Sequence, residues 1–159
     1  MASNDEIKKP IASEGVPWKE WDHGEKFGSR YRPLTETVMG KEYRVGVSIE
    51  ELAPGKQSCP FHWHVKEEEH ILALEGRATL RLGAERIELR AGDYVCFPAR
   101  QEAGHCLVNE SDAPFRFVMI GEKKRDDVCV YPDSNKVLVR ALGHVLDRAA
   151  VKDYWDGES

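Results

Sequence analysis

The amino-acid sequence predicts an all-β fold in which short antiparallel strands close into one barrel. Polar and apolar residues alternate with period two in residues 43–52 and again in residues 78–82, as expected for strands with one buried face. Short apolar runs are separated by turn residues along most of the chain, and almost no segment has the period of a helix. These observations favour a barrel or a sandwich of antiparallel strands.

The predicted strands follow one another through turns rich in Gly, Pro, Asn and Asp. In the first strand, 43–52, we expect the row of Val45, Val47 and Ile49 to form the buried face and the row ending at Glu50 to face away. Further apolar runs predict strands at residues 71–74, 78–82, 86–89, 94–97, 105–109, 115–120, 128–131 and 136–140, the last as an edge strand.

The two ends of the chain differ from this pattern. We expect residues 1–33 to be an N-terminal arm that packs on the barrel or on a partner subunit, residues 34–142 to form the barrel, and residues 143–159 to form a tail. An alternative is that the aromatic side chains of the arm form a lid over the barrel mouth. Both ends carry aromatic residues that need a surface to cover, which predicts a homodimer. These residues are Trp18, Trp21, Tyr154 and Trp155.

Composition limits the classes of partner. The formal net charge is −5, which argues against a nucleic-acid or anionic-membrane partner and leaves a small molecule as the expected ligand. No apolar run reaches transmembrane length, and the first ten residues lack the apolar region of a signal peptide, so we expect a cytoplasmic protein. The four cysteines form no C-x-x-C pair and are expected to be reduced thiols.

Chemistry is concentrated in residues 62–76. His62 and His64 are two apart, so an extended backbone points both imidazoles to one face. Glu69 opens the apolar run that ends at Gly76. Two imidazoles and one carboxylate rarely complete a metal site, and His105 is the best candidate for a fourth ligand.

This segment resembles the first motif of the cupin superfamily. That motif is a glycine, a His-x-His pair, a glutamate and a final glycine, and its positions are taken by Gly55, His62, His64, Glu69 and Gly76. The spacer from Gly55 to His62 is six residues, one more than the family pattern.

The second cupin motif is matched by four later residues, Gly92, Pro98, His105 and Asn109. The middle glycine of the family pattern is displaced, and the spacing from Pro98 to His105 is longer than usual. The resemblance covers roughly residues 43–121. It implies a double-stranded β-helix (jelly-roll) barrel that binds one metal ion, with the ligands His62, His64, Glu69 and His105.

Neighbouring residues are assigned by strand parity. Glu68 is an alternative ligand if the spacer is shorter, but Glu69 begins the apolar strand and is preferred. Glu67 and Glu68 are then expected to be exposed, and His70 is expected to face away from the metal. Three imidazoles and a carboxylate suit Mn, Fe, Co, Ni or Zn without choosing among them. The expected pocket-lining residues are Gln57, Cys59, Tyr94 and Phe97.

The expected function is that of a metal-dependent cupin that binds a small polar metabolite. Isomerase chemistry on a sugar or sugar-phosphate-like substrate is preferred, because a metal can polarise a carbonyl while a nearby base moves a proton. An Fe(II)-dependent dioxygenase is one alternative. A non-catalytic binding or sensing module is another, since one fold serves many functions.

Overall fold

A computed structural model describes residues 7–158 of the chain. It confirms the predicted all-β class: the described residues form thirteen strands, one short α-helix, α1 (Leu34–Met39), and short 3-10 turns. The strands are β1 (Lys19–His23), β2 (Phe27–Pro33), β3 (Val45–Leu52), β4 (Trp63–His64), β5 (Glu69–Glu75), β6 (Arg77–Leu82), β7 (Glu85–Arg90), β8 (Tyr94–Phe97), β9 (His105–Val108), β10 (Phe115–Glu122), β11 (Val128–Tyr131), β12 (Lys136–Val139) and β13 (His144–Asp147). No helix in this described part is long and apolar enough to cross a membrane.

The strands form three antiparallel sheets. The largest has the order β1-β2-β3-β10-β5-β8, the second β13-β12-β11-β4 and the third β7-β6-β9. β12 lies between β11 and β13, so the expectation that residues 136–140 form an edge strand is wrong. The strand β13, within the predicted tail, pairs with β12 and takes the edge position instead.

The predicted N-terminal arm contributes two strands to the largest sheet. β1 and β2 form a hairpin, and β2 pairs with β3 through residues 30–33. The first six residues of the arm lie outside the described residues. Trp18 in this segment lies against the guanidinium groups of Arg30 and Arg32, at 4.6 and 4.5 Å from the ring centroid. Cation–π contacts of this kind hold the arm's aromatic ring on its own sheet.

The apolar core lies between the sheets and reaches the histidines, since the ring of Phe97 stacks on that of His105. Its buried members are Leu52, Ile71, Ala73, Ala78, Leu80, Leu89, Phe97, Leu107, Phe115 and Phe117. Gly76 joins β5 to β6 with φ +78°, and a β-carbon there would collide with the carbonyl oxygen of Pro114. Asn109 is fully buried and its amide donates to the carbonyl oxygens of Leu52 and Ala113, both at 2.8 Å. These two motif residues therefore serve the fold.

The prediction for β3 is wrong about which row faces the interior. Ser48 and Glu50 line cavities on the inner side of the sheet, whereas Val45 is 46% exposed. Directly opposite residues in an antiparallel pair share a face. Glu50 is opposite Phe117 and Ser48 is opposite Met119 on β10, and both partners also line the main cavity. The polar row of β3 thus faces inward.

Candidate metal centre

Three strands bring the predicted ligands together. His64 lies on the short strand β4, Glu69 is the first residue of β5, and His105 is the first residue of β9. His62 is linked to His105 by two backbone hydrogen bonds, of 3.2 Å and 2.8 Å. The two histidines are therefore fixed side by side although they are far apart in the sequence.

The four side chains converge on one point. The Oε2 atom of Glu69 lies 2.8 Å from Nε2 of His105, 3.5 Å from Nε2 of His64 and 3.6 Å from Nε2 of His62. The Nε2 atoms of His62 and His64 are 3.1 Å apart. A single cation placed among these atoms can be reached by three imidazole nitrogens and one carboxylate oxygen.

The opposite ring nitrogens of two histidines fix their tautomers. His62 Nδ1 lies 2.8 Å from the carbonyl oxygen of Pro60, and His64 Nδ1 lies 2.7 Å from Oδ2 of Asp127. A carbonyl or carboxylate oxygen can only accept, so each Nδ1 carries the hydrogen. When these imidazoles are neutral, their Nε2 lone pairs are directed at the common point, as metal-binding histidines require.

His105 is held in a different way. Its ring stacks on Phe97, with centroids 3.7 Å apart and planes at 2°. Its buried Nδ1 has no hydrogen-bond partner among the described residues, whereas Nε2 faces Glu69. Packing and the bond to Glu69 thus orient this imidazole.

The charge balance of the cluster suits a cation. Burial opposes ionisation of Glu69, but hydrogen bonds from His105, His62 and His64 hold the pKa of this carboxyl well below its usual range. Burial also opposes protonation of His62, but contacts with Cys59 and Glu69 outweigh it and raise the pKa of His62. Burial lowers the pKa of His105. The negative charge of Glu69, which attracts a proton to His62, also attracts a metal ion.

Glu67 is buried, and the prediction that it is exposed is wrong. Its side chain is 4% exposed and forms an ion pair with Arg140, and its Oε1 also accepts from the backbone N–H of Lys124. Its Oε2 lies 3.5 Å from Nδ1 of His64. Asp127, fully buried, also contacts Arg140 at 3.7 Å. Together these residues form a charged layer behind His64, which the local sequence pattern does not reveal.

The other parity assignments agree with the structure. Glu68 is exposed, and Glu69 is the carboxylate that reaches the histidines. His70 forms a hydrogen bond of 2.7 Å with the hydroxyl of Tyr94 on the exposed side of the sheet. Two further groups of ligand-type side chains surround the cluster: His62 and His64 with Cys129, and His64 with Glu67 and Asp127. Arg140 already provides the positive charge for the second of these groups.

A cavity of about 350 Å³ opens beside the cluster. Of the four predicted pocket residues, Cys59 and Phe97 line it. Gln57 is buried behind the wall, where its amide donates to the carbonyl oxygen of Cys59 at 2.8 Å. Tyr94 is 61% exposed and lies on the outside. The structure thus brings two of these four residues to the cavity.

Several lining residues were not predicted. Trp21 of β1 reaches the cavity, which is the position that the lid alternative gave to an aromatic residue of the arm. Glu50, Tyr131 and Arg140 also line it. The sequence pattern did separate Glu50 from the apolar row of β3, but the row that contains Glu50 was expected to face outward. Tyr131 and Arg140 come from segments remote in sequence and had no local signal.

Comparisons with known proteins agree with this architecture. Residues 48–121 match the family model of the cupin domain, and no curated protein gives a significant match to the chain. The chain is similar to the solved structure of a candidate sugar phosphate isomerase from Acidithiobacillus ferrooxidans ATCC 23270, with 28% identity and a TM-score of 0.75 over 79% of this chain and 80% of that chain.

Two more distant structures share the fold. One is a sugar phosphate isomerase from a cupin superfamily, from Silicibacter pomeroyi DSS-3, with 22% identity and a TM-score of 0.77 over 93% of this chain and 98% of that one. The other is a polyketide cyclase from Streptomyces resistomycificus, with 21% identity and a TM-score of 0.61 over 74% and 81% of the two chains. Residues 48–121 therefore form a cupin domain, and the chain shares its fold with these solved structures.

Proposed function

We propose that His62, His64, Glu69 and His105 hold one divalent transition metal ion, and that this centre isomerises a small sugar-like carbonyl compound. The observation that carries the proposal is the convergence of three Nε2 atoms and one carboxylate oxygen on a single point beside a cavity. Three imidazoles and a carboxylate are a donor set for Mn, Fe, Co, Ni or Zn.

When bound by these four residues, a metal ion would supply a Lewis acid for a carbonyl oxygen. The remaining work belongs to the protein's own residues. Asp127 keeps the hydrogen of the neutral His64 ring on Nδ1, so that the lone pair of Nε2 faces the centre. The carbonyl oxygen of Pro60 does the same for His62. Apolar residues of the cavity wall, among them Ile71 and Phe117, exclude bulk water from the substrate.

The charges of the cavity favour an uncharged sugar over a sugar phosphate. Among the described lining residues, Arg140 is the only arginine or lysine, and Glu67 is already paired with it. A phosphate group inside the cavity would have to displace Glu67 from Arg140. Hydroxyl and carbonyl oxygens need no such rearrangement. The likeness to the Acidithiobacillus protein supports the reaction type.

The test is turnover by protein of defined metal content. Protein stripped with a chelator is reloaded separately with Mn, Fe(II), Co, Ni or Zn and incubated with a panel of free and phosphorylated aldoses and ketoses. We expect metal-dependent interconversion of an aldose and a ketose, faster with free sugars. Oxygen consumption with an Fe(II)-loaded sample would instead indicate a dioxygenase. Binding of sugars without any turnover would indicate a sensing module.

A further inference from the structure

We infer that Glu50 is the residue that transfers the proton between substrate carbons in this cavity. The inference rests on the proposed isomerase function and names the base that such a reaction needs. Glu50 belongs to neither cupin motif described above. It is carried into the cavity by β3, in the same sheet as Glu69 of the metal-ligand cluster.

Strand register directs Glu50 inward. On β10, Phe117 lies opposite Glu50, and Gly121, four residues further on, lies opposite Glu69 of β5. Residues separated by an even number of positions share one face of a strand. Glu50 and Glu69 are therefore on the same inner face of one continuous sheet, and both line the cavity.

Neutral donors hold the Glu50 carboxylate. The hydroxyl of Ser48 donates to Oε1 at 3.0 Å, and the hydroxyl of Ser29 also bonds the carboxylate. Ser29 in turn accepts a hydrogen bond of 2.9 Å from the indole N–H of Trp21. Three residues from β1, β2 and β3 thus fix the carboxylate without neutralising its charge.

The other carboxylates of the cavity are already committed. Glu67 is paired with Arg140, and Glu69 is surrounded by the three histidines. Glu50 is the remaining carboxylate among the described lining residues, and no ion pair joins it to a described cation. A carboxylate without a cationic partner keeps its basicity. Burial is the largest influence on this carboxyl and raises the pKa of Glu50.

The reaction is balanced without a further reactant. Glu50 takes the proton from the carbon next to the carbonyl, and the electron pair of the broken C–H bond forms a carbon–carbon double bond. The carbonyl oxygen accepts the displaced electron pair. The hydroxyl proton passes from one substrate oxygen to the other, and Glu50 returns its proton to the former carbonyl carbon. No oxidant or reductant is consumed, and Glu50 ends in its starting state.

The test compares Glu50→Gln with the wild type and with Glu75→Gln, each loaded with the same metal. Glu75 lies on the same strand as Glu69, but its side chain is 69% exposed, pairs with Arg116 and is not among the residues that line the cavity. Aldoses and ketoses are incubated in D2O, and deuterium at the carbons is followed by NMR. Metal content is measured by mass spectrometry, and binding of an unreactive sugar alcohol is measured by calorimetry.

We expect Glu50→Gln to lose deuterium incorporation by about 10²- to 10⁴-fold, the usual contribution of a general base. Its metal content and its affinity for the sugar alcohol should match those of the wild type, and Glu50→Asp should retain part of the activity. Incorporation by Glu50→Gln at the rate of Glu75→Gln would overturn the inference and leave the proposed function standing. Loss of metal from Glu50→Gln would also overturn it. Absence of metal-dependent exchange in the wild type would defeat the proposed function and this inference together.

Discussion

Two parts of the cavity wall differ in how their charged groups are used. The part with His62, His64, Glu69 and His105 consists of groups in mutual contact, and a buried layer behind them restrains the imidazoles. The part of the wall formed by β3, in the same sheet as Glu69, presents Glu50 held only by neutral donors. Groups that ligate an ion must be rigid and mutually close, whereas a group that transfers a proton must keep a free lone pair. The predictions below probe this division, beginning with the largest effect.

Removing one ligand should abolish stoichiometric metal binding. We expect His64→Ala, His105→Ala and Glu69→Gln each to weaken affinity by more than the ~10- to 100-fold that loss of a supporting residue costs. His70→Gln is the matched control, since His70 contacts Tyr94 outside the cavity. Mass spectrometry of identically purified proteins gives the metal content. Full occupancy in His64→Ala would show that the ligands are assigned wrongly.

Weakening the layer behind His64 should have the next largest effect. In Asp127→Asn the amide no longer fixes the His64 tautomer by charge, so metal affinity should fall by about 10- to 100-fold. Asp126→Asn is the control, because Asp126 is an exposed neighbour that pairs with Lys66 on the surface. A chelator competition titration measures both. Equal affinities for the two variants would show that the buried layer does not support the centre.

Lowering the pH should weaken metal binding at the same part of the wall. Contacts with Glu69 contribute to the raised pKa values of His62 and His64 against the opposing effect of burial, so protons compete with the metal over a wide range. Affinity should therefore rise with pH through the neutral region, with one or two protons released per metal bound. Calorimetry in buffers of different ionisation enthalpy counts these protons. A pH-independent affinity would contradict ligation by imidazoles.

The contribution of Glu50 to folding stability should depend on pH in the opposite sense from that of a typical paired carboxylate. Burial raises the pKa of Glu50 in the folded state, so the stability it contributes is present below the ordinary carboxyl pKa and is lost as pH rises through the folded value. Glu50→Gln removes the buried negative charge and should stabilise the metal-free protein at neutral pH. Each kcal/mol gained in the free energy of unfolding should raise the Tm by about 2–4 °C. Thermal melts at pH 4 and pH 7 test it. A variant less stable than the wild type at pH 7 would show that the charge is well accommodated.

The C-terminal tail should leave both parts of the wall unaffected. Tyr154 and Trp155 are 83% and 71% exposed in one chain, which supports the proposal that a second copy covers them. We expect a homodimer by light scattering and a shift toward monomer in the double variant Tyr154→Ser with Trp155→Ser. Metal content should stay the same. A monomeric wild type at micromolar concentration would refute the dimer.

The sequence alone determined the strand-rich fold and the cluster of candidate metal ligands, for a local physical reason. Alternation in an extended chain places His62 and His64 on one face, and the apolar run after Glu69 marks the next strand. Each of these signals lies within about fifteen residues. The motif spacing added His105, and the structure brings all four side chains to one point.

Tertiary structure alone decided the layer behind the ligands and the inward face of β3. Asp127 and Arg140 reach His64 and Glu67 from more than sixty residues away, and no local periodicity reports such a contact. Alternation reveals that β3 has two faces but not which one lies inward. A barrel with a polar cavity can direct its polar row inside, and that inversion carries Glu50 to the site. Local patterns therefore specify the candidate ligands, while long-range packing specifies the residues that restrain them and the placement of Glu50 beside them.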